Sequence, residues 1–295
     1  MDAHYQKTIL SIVDICTKIV TLTKEVNRAV KSEANLSATQ YRLLATLEVS
    51  RESVSEGTLA RLISAPLSTT ASALHALRHD GLVRLSKAPD DTRASMAAMT
   101  KKGAYALALA DRAASAFLAH IWGRLDREQK TLLIWSSSLT LSARGLLRAH
   151  GGHLNIDFAY YEGSAISVRL ISKALAAYGL SFDCFRVLAS LAARIEGARA
   201  SELGCALMLH SSEMTRLLRM LEEADLVEPK VDKADGRAIV RRATSEGHEL
   251  VMECLPKIIE VERFGMVPLS QDEYEAFFEL ARCANEVLRE GFTYR

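Results

Sequence analysis

The sequence predicts a mainly α-helical fold with short β-hairpins, built from two tandem copies of one domain. Shifted by 144 residues, the 295-residue chain aligns with itself without a gap, and 18 of the 72 positions in 36–107 match their counterparts in 180–251. Apolar residues recur at helical spacing through most of each copy, and two short stretches per copy have strand composition instead. A period of this length indicates a duplicated domain rather than a solenoid, with expected domains at 1–150 and 151–295.

Local signals define the elements of the first copy. Ser37 and Gln40 form a capping box that opens a helix, and Pro66 is expected in the first turn of another, which Gly81 ends. The predicted elements are helices at Tyr5–Lys31, Tyr41–Val49, near Thr58–Ile63 and from Pro66 to about Asp80, strands at Val83–Ser86 and about Ala94–Met99, and helices from Thr100 to about Trp122 and from Asp126 to about Arg148.

The second copy repeats this order. Its predicted elements are helices at Ile166–Tyr178, Phe182–Ile195, Ala200–Ala206 and His210–Ala224, a hairpin over Val227–Ala243, and helices after Thr244 and after the capping pair of Ser270 and Glu273. Helix, turn, helix and hairpin in succession is the winged helix-turn-helix arrangement. The long flanking helices have an apolar face that needs a partner. We expect the other copy to supply it, so that a helical, dimerisation-like scaffold joins the two domains through the short join at His150–His153.

Composition narrows the class of protein. No apolar run reaches the roughly 18 residues needed to span a bilayer, and the five cysteines show no paired spacing, so we expect a soluble cytoplasmic protein. The net charge of +1 conceals +7 in residues 1–150 and −6 in residues 151–295, and a basic half suits a polyanionic partner. The sequence has no phosphate-binding glycine loop, zinc-protease motif or nucleophile elbow, so neither catalysis nor a cofactor is predicted.

The hairpin segments carry the most specific motif. Its residues are Asp91, Arg93, Thr100 and Gly103 in the first copy and Asp235, Arg237, Thr244 and Gly247 in the second. With the preceding Leu-x-x-Leu pattern, this D-x-R and T-x-x-G pattern resembles the wing signature of the MarR family of bacterial transcriptional regulators, twice and over nearly the whole chain. The resemblance implies double-stranded DNA as the partner and repression relieved by a small aromatic or amphipathic ligand.

The motif also has a physical interpretation that does not need the family. An arginine at a hairpin tip can enter the narrow minor groove, and an aspartate two residues earlier can orient its guanidinium. The alternative is an Asp–Arg pair that only rigidifies the turn, and the helix hydroxyls have helix capping as their alternative. The candidate DNA-binding residues are Ser68, Thr69, Thr70, Ser72, His75, Arg78, Lys87, Asp91 and Arg93 in the first copy, and Ser211, Ser212, Thr215, Arg216, Arg219, Lys230, Lys233, Asp235, Arg237 and Arg241 in the second.

Other residues also have two interpretations. Cys16 lies where peroxide-sensing members of this family carry a reactive cysteine, and its alternative is an inert buried thiol. The sequence predicts core positions for Cys205, Cys254 and Cys283, packing roles for Trp122 and Trp135, and no completed metal site for His150 and His153.

Two functions stay open at this point. The first is a ligand-responsive repressor acting as a monomeric pseudo-dimer, whose diverged recognition helices (Thr215-Arg216 against Ala71-Ser72) suit a non-palindromic operator. The second is a degenerate winged-helix scaffold for protein interaction or ligand sensing, with weak or one-lobed DNA binding. The acidic second half favours it.

Overall fold

The chain forms two compact units that do not coincide with the halves of its sequence. A computed structural model describes residues 3–50, 52–87, 95–127, 129–130, 156–232, 235–264, 271–290 and 292. One unit is Leu22–Ile166, and the other joins Met1–Thr21 to Ser167–Arg295. The first 21 residues therefore group with Ser167–Arg295, whereas the predicted division at 150/151 follows the sequence repeat.

The unit Leu22–Ile166 contains a three-helix cluster followed by a small sheet. Its elements are the second part of α1 (Ala3–Ala34), α2 (Ala38–Ser50), β1 (Val54–Ser55), α3 (Glu56–Leu62), α4 (Leu67–His79), β2 (Val83–Lys87), β3 (Ser95–Met99), α5 (Lys101–Trp122) and the start of α6 (Ile156–Ala176). The antiparallel sheet has the order β1-β3-β2, with Val83 opposite Met99 and Lys87 opposite Ser95.

The other unit repeats this order. After the first part of α1 and the end of α6 it contains α7 (Phe182–Ala192), α8 (Ala200–Leu207), α9 (Ser211–Glu223), β4 (Val227–Val231), β5 (Ile239–Ala243), α10 (Ser245–Phe264) and α11 (Gln271–Glu290). Strands β4 and β5 pair antiparallel, and an isolated bridge joins Ala198 to Arg241 where the first unit has β1.

The two helix-turn-helix segments follow the same order at the 144-residue offset, and α4 and α9 correspond at both ends. Both turns contain a non-glycine residue with positive φ, 51° at Ser64 and 51° at Met208. After α4, Gly81 has a φ of 73°, and after α9 its counterpart Asp225 has a φ of 56°. Aspartate tolerates this left-handed conformation better than most side chains, so the second copy keeps the turn without the glycine.

Most element predictions are confirmed within a few residues. The Ser37–Gln40 capping box is present, with Ser37 N donating to Gln40 Oε1 at 2.8 Å. Three expectations were wrong. Pro66 is the N-cap of α4 rather than its first turn, and α7 ends at Ala192 instead of Ile195. Helix α6 begins at Ile156, ten residues before the predicted start.

Helix α1 supplies apolar side chains to the core of the unit that contains Ser167–Arg295. Within its first 21 residues Ile9, Ile12, Cys16 and Ile19 are all buried. In the same unit the side chain of Asn285 donates to the carbonyl of Asp14 at 2.9 Å. In the part of the chain that the structure describes, no helix is long and apolar enough to cross a membrane.

Candidate nucleic-acid interface

The Thr-x-x-Gly motif fixes each hairpin to the helix that follows it. Thr100 caps α5 by accepting from Gly103 N at 3.0 Å, and its hydroxyl donates to Gly81 O at 2.8 Å. A Cβ on Gly103 would lie 2.1 Å from the Leu82 carbonyl oxygen, so only glycine fits. Thr244 caps α10 in the same way, by accepting from Gly247 N at 3.0 Å. The motif thus fixes the start of each hairpin against the first turn of the helix that follows it.

Helix α4 presents most of the predicted polar set to solvent. The exposed members are Ser68, Thr69, Ser72, His75 and Arg78. Thr70 is the exception, because it is fully buried and its hydroxyl donates to the Pro66 carbonyl at 3.1 Å. Thr70 therefore stabilises the first turn of α4 and is not part of the candidate surface.

The first hairpin adds basic side chains beside this helix. Lys87 and Arg84 are exposed on β2, and Arg84 was not among the predicted site residues although its position alternates with buried Val83. Within the described residues neither these two nor Arg78 forms an ion pair. The tip residues Asp91 and Arg93 lie outside the described part of the chain.

Helix α9 of the other unit presents the corresponding face. Ser212, Thr215, Arg216 and Arg219 are exposed opposite the buried seam of Met214, Leu217, Leu218 and Leu221, whereas Ser211 is half-buried. The Thr215 hydroxyl donates back to Ser211 O at 2.8 Å, and the Arg216 guanidinium lies 3.3 Å from Met220 Sδ. The exposed polar face expected from the sequence is therefore present.

The aspartate of the second wing does not hold the guanidinium that the motif suggested. Asp235 Oδ1 accepts from the backbone N–H of Arg237 at 3.2 Å, which closes the turn. Its other oxygen faces Arg199 Nη2 at 3.3 Å, and the same nitrogen pairs with Asp232 at 2.7 Å. Arg199 was not among the predicted site residues, because it lies in the loop before α8. The Arg237 side chain is left exposed at the tip.

Acidic residues pair with most of the other cations of this second surface. The ion pairs are Arg241–Glu222 at 3.1 Å, Arg219–Glu223 at 3.5 Å and Lys230–Glu228 at 3.0 Å. Lys233 lies outside the described residues. Of the predicted cations that are described here, Arg216 and Arg237 have no carboxylate partner among the described residues. The two surfaces therefore share a shape and differ in charge.

One buried arginine in each unit anchors the helix-turn-helix, and neither was among the predicted site residues. Arg42 makes two bonds of 2.5 Å to the Glu162 carboxylate, and Arg42 Nη2 donates to the Ile63 carbonyl at 2.6 Å. Arg186, at the equivalent position, pairs with Asp183 at 2.6 Å and donates to the Leu207 carbonyl. Both guanidinium groups satisfy the carbonyl that precedes the helix-turn-helix turn.

The remaining predictions have mixed outcomes. Cys16 is fully buried. Cys254 is buried as predicted, and burial raises the pKa of its thiol to about 11, with repulsion from Glu253 adding to the shift. Cys205 was wrongly placed in the core. It is exposed, because Leu203, Gly204 and Leu207 form the buried face of α8. Trp122 packs as expected, its ring 5.2 Å from that of Tyr160, while Trp135, His150 and His153 lie outside the described residues.

No protein-family model and no curated protein matches the chain. One similar solved structure is CouR of Rhodococcus jostii RHA1 bound to p-coumaroyl-CoA, at 22% identity over 42% of this chain and 87% of that chain, with a TM-score of 0.40. The S. aureus MepR–DNA complex matches at 22% identity over 42% of this chain and 92% of that chain, with a TM-score of 0.38. Apo wild-type MarR of E. coli matches at 21% identity over 40% of this chain and 86% of that chain, with a TM-score of 0.34. These neighbours are MarR-family transcriptional regulators. Each match covers less than half of this chain with a TM-score below 0.5, so a functional assignment depends on the chain's own residues.

Proposed function

We propose that this protein is a DNA-binding transcriptional regulator, a repressor that a small amphipathic or aromatic ligand releases from its operator. The observation that carries the proposal is the surface of α4 and the first hairpin. There Arg78, Arg84 and Lys87 are exposed beside a row of hydroxyls and form no ion pair with the described residues. Unpaired cations next to a hydroxyl-rich helix are the groups that bind phosphates and base edges.

We expect the second surface to bind the same duplex with lower affinity. The Lys230–Glu228 pair is largely exposed, and the side chains of the Arg241–Glu222 pair are still 27% and 29% exposed, so phosphate can compete with Glu228 or Glu222 for its cation. The displaced carboxylates stay nearby and repel the DNA backbone. We therefore expect the unit Leu22–Ile166 to supply most of the salt-dependent affinity, and Arg216 and Arg237 to give the other unit its contacts.

The agreement of both units at a constant offset supports a tandem duplication. On this proposal one polypeptide performs the role of a homodimer, with two half-sites about one helical turn apart. Tethering makes engagement of the second unit effectively intramolecular. Because the recognition helices differ, the preferred operator is non-palindromic.

The proposal is tested by selecting bound sequences from a random duplex pool and then titrating the best site at several salt concentrations. Arg93→Ala and Arg237→Ala should each weaken binding and lower the slope of log K against log salt by about one. Arg282→Ala, which removes an exposed cation on α11, is the matched control and should leave the slope unchanged. No enrichment of any sequence, with a salt slope near zero, would contradict the proposal.

A second candidate follows from the ion pairs of the acidic unit. If Arg93→Ala abolishes binding while Arg237→Ala has no effect, that unit is a scaffold for protein interaction or ligand sensing. If neither substitution matters, both wings are misassigned and the chain is a winged-helix scaffold without operator binding.

A further inference from the structure

The second hairpin exposes an apolar pair close to its tip. Val231 on β4 and Ile239 on β5 are directly opposite each other in the antiparallel register, so their side chains lie on the same face of the hairpin. Val231 is 60% exposed and Ile239 is 44% exposed. Burial of two side chains of this size is favourable, so the surface that leaves both open to water is a candidate contact site.

The pair lies on the face of the hairpin that adjoins α9. Side chains alternate along a strand, so Ile239 shares its face with Arg241, two residues further along β5. The Arg241 guanidinium bonds to Glu222 near the end of α9, with 3.1 Å between Nε and Oε1. The apolar pair therefore extends the α9 side of the hairpin towards the tip, where the Arg237 side chain is exposed.

The first hairpin has polar residues in the same register. Lys87 pairs with Ser95 there, and these positions lie 144 residues before Val231 and Ile239. Both hairpins consist of two five-residue strands with the same pairing, so closure of the hairpin does not require the apolar side chains. The pair is therefore a difference in surface chemistry between two equivalent hairpins.

The charge around the pair favours a polyanion as its contact. The hairpin Val227–Ala243 has five Lys and Arg against three Asp and Glu, although residues 151–295 have a net charge of −6. Two of its carboxylates, Asp232 and Asp235, pair with Arg199. Arg237 has no carboxylate partner among the described residues. An apolar pair beside an unpaired arginine suits the minor groove of a duplex, where phosphates line the walls and base edges form the floor.

We propose that the Val231–Ile239 pair is a wedge that enters the minor groove next to Arg237, partly unstacks one base step and bends the duplex. This inference rests on the proposed function and deepens it, because it names what the second unit reads. Unstacking costs least at a flexible pyrimidine–purine step, and the 2-amino group of guanine obstructs the minor groove. The second half-site therefore contains a TA step beneath the hairpin.

The bend is measured on the full-length chain bound to the duplex that it selects from a random pool, with a donor and an acceptor dye at the two ends. Energy transfer should report a bend of at least about 20° in the wild-type complex. Val231→Thr combined with Ile239→Thr keeps both side chains β-branched and replaces apolar atoms with hydroxyls. This double variant should bind about tenfold more weakly and lose most of the bend.

The salt dependence separates the wedge from an electrostatic contact. Because neither apolar side chain neutralises a phosphate, the double variant should keep the wild-type slope of log K against log salt, whereas Arg237→Ala lowers it by about one. Ile195→Thr combined with Met252→Gln is the matched control, since it removes two exposed apolar side chains of the same unit outside the hairpin. The control should change the affinity less than about twofold.

Base substitution identifies the groove that the pair enters. Replacing the A·T pairs of the selected TA step with G·C pairs adds amino groups to the minor groove and should weaken wild-type binding about tenfold. Inosine–cytosine pairs keep the minor-groove edge of A·T and carry the major-groove edge of G·C, so they should restore binding to within about threefold. These substitutions need no protein variant, so they test the wedge even where a variant folds poorly.

A straight duplex in the wild-type complex would overturn the proposal, as would equal losses with inosine and with guanine. Wild-type affinity and bend in the folded double variant would leave the pair to a protein partner and overturn it too. A thermal melt of each variant separates loss of the wedge from loss of the fold. If no sequence is enriched, the proposed function fails as well, whereas an enriched duplex that stays straight refutes the wedge alone.

Discussion

The Arg42 guanidinium is buried against a carboxylate that is fully buried as well, with two bonds of 2.5 Å to Glu162. Arg42→Ala would leave Glu162 without its counter-charge inside the protein. We expect it to lower the free energy of unfolding by about 3–5 kcal/mol, measured by urea denaturation.

A matched control is available in the same unit. Arg28 pairs with Glu25 on the surface of α1, with its side chain 70% exposed. Arg28→Ala should change the free energy of unfolding by less than about 1 kcal/mol. Equal effects of the two substitutions would show that the Arg42–Glu162 pair is not a buried anchor.

Gly103 marks a close approach of two backbones. Gly103→Ala would place its Cβ 2.1 Å from the carbonyl oxygen of Leu82, which forces the hairpin away from α5. We expect a loss of about 1–3 kcal/mol, seen as a lower melting temperature. Gly57→Ala, in a short helix with no atom within 4 Å, should be neutral or slightly stabilising. An unchanged melting temperature for Gly103→Ala would contradict the close contact.

Residue-scale prediction succeeds where the partner is close in sequence. The Ser37 and Thr100 caps were recognisable because their partners lie three residues away. Arg42 and Glu162 are 120 residues apart, and no local pattern indicates that pairing. Thr70 failed for another reason, because a hydroxyl can bond its own helix as easily as a ligand.

At the scale of elements, the packing of α5 against α2 brings a carboxyl into a partly buried place. Burial raises the pKa of Asp111 to about 6, with Glu48 and Asp157 adding repulsion, although the Tyr41 hydroxyl donates to it at 2.9 Å. The folded state thus holds this proton more tightly than the unfolded state. The stability it contributes is full below about pH 4 and is lost as the pH rises through about 6.

Asp111→Asn should therefore flatten the fall in stability between about pH 4 and 6, because the amide does not titrate. Urea denaturation midpoints measured across this range provide the check. Glu33→Gln, at an exposed carboxyl of the same unit, should leave the pH profile as in the wild type. A profile for Asp111→Asn that is parallel to the wild type would rule out this carboxyl as the source.

The second hairpin and α9 carry their own neutralising carboxylates. Glu222→Gln combined with Glu228→Gln frees Arg241 and Lys230, and we expect about fivefold tighter binding to a non-specific duplex at low salt, measured by fluorescence anisotropy. Glu279→Gln with Glu286→Gln changes the net charge equally on α11 and should have a much smaller effect. Equal gains from both double variants would indicate a global charge effect rather than a DNA-facing surface.

Two of the missed element features depend on tertiary contacts. Strand β1 has two residues, and it exists because Val54 and Ser55 pair with β3, which no local propensity shows. The early start of α6 has the same origin, since Phe158 and Tyr161 pack their rings against Tyr41, 5.4 and 5.5 Å between centroids. Composition predicted the charge of the candidate surface, but it did not predict which carboxylates pair with its cations.

At the scale of the molecule, we expect a monomer of 32.4 kDa, because each polypeptide carries both winged-helix units. Native mass spectrometry at low micromolar concentration checks this, and the operator complex should contain one chain per duplex. A dimer of full-length chains at that concentration would mean that the two units do not replace a homodimer.

The first 21 residues of α1 complete a core whose other members begin at Ser167. Thr17 faces the buried Arg186, and Asp14 meets Arg289 at 3.6 Å. If the gene were cut at its midpoint, the first fragment would carry the amphipathic start of α1 without its packing partner. The second fragment would lack the apolar side chains that this segment contributes to its core. If the proposed duplication arose from a separate half-length protein, that protein would have needed a second molecule to fill the same place in its core.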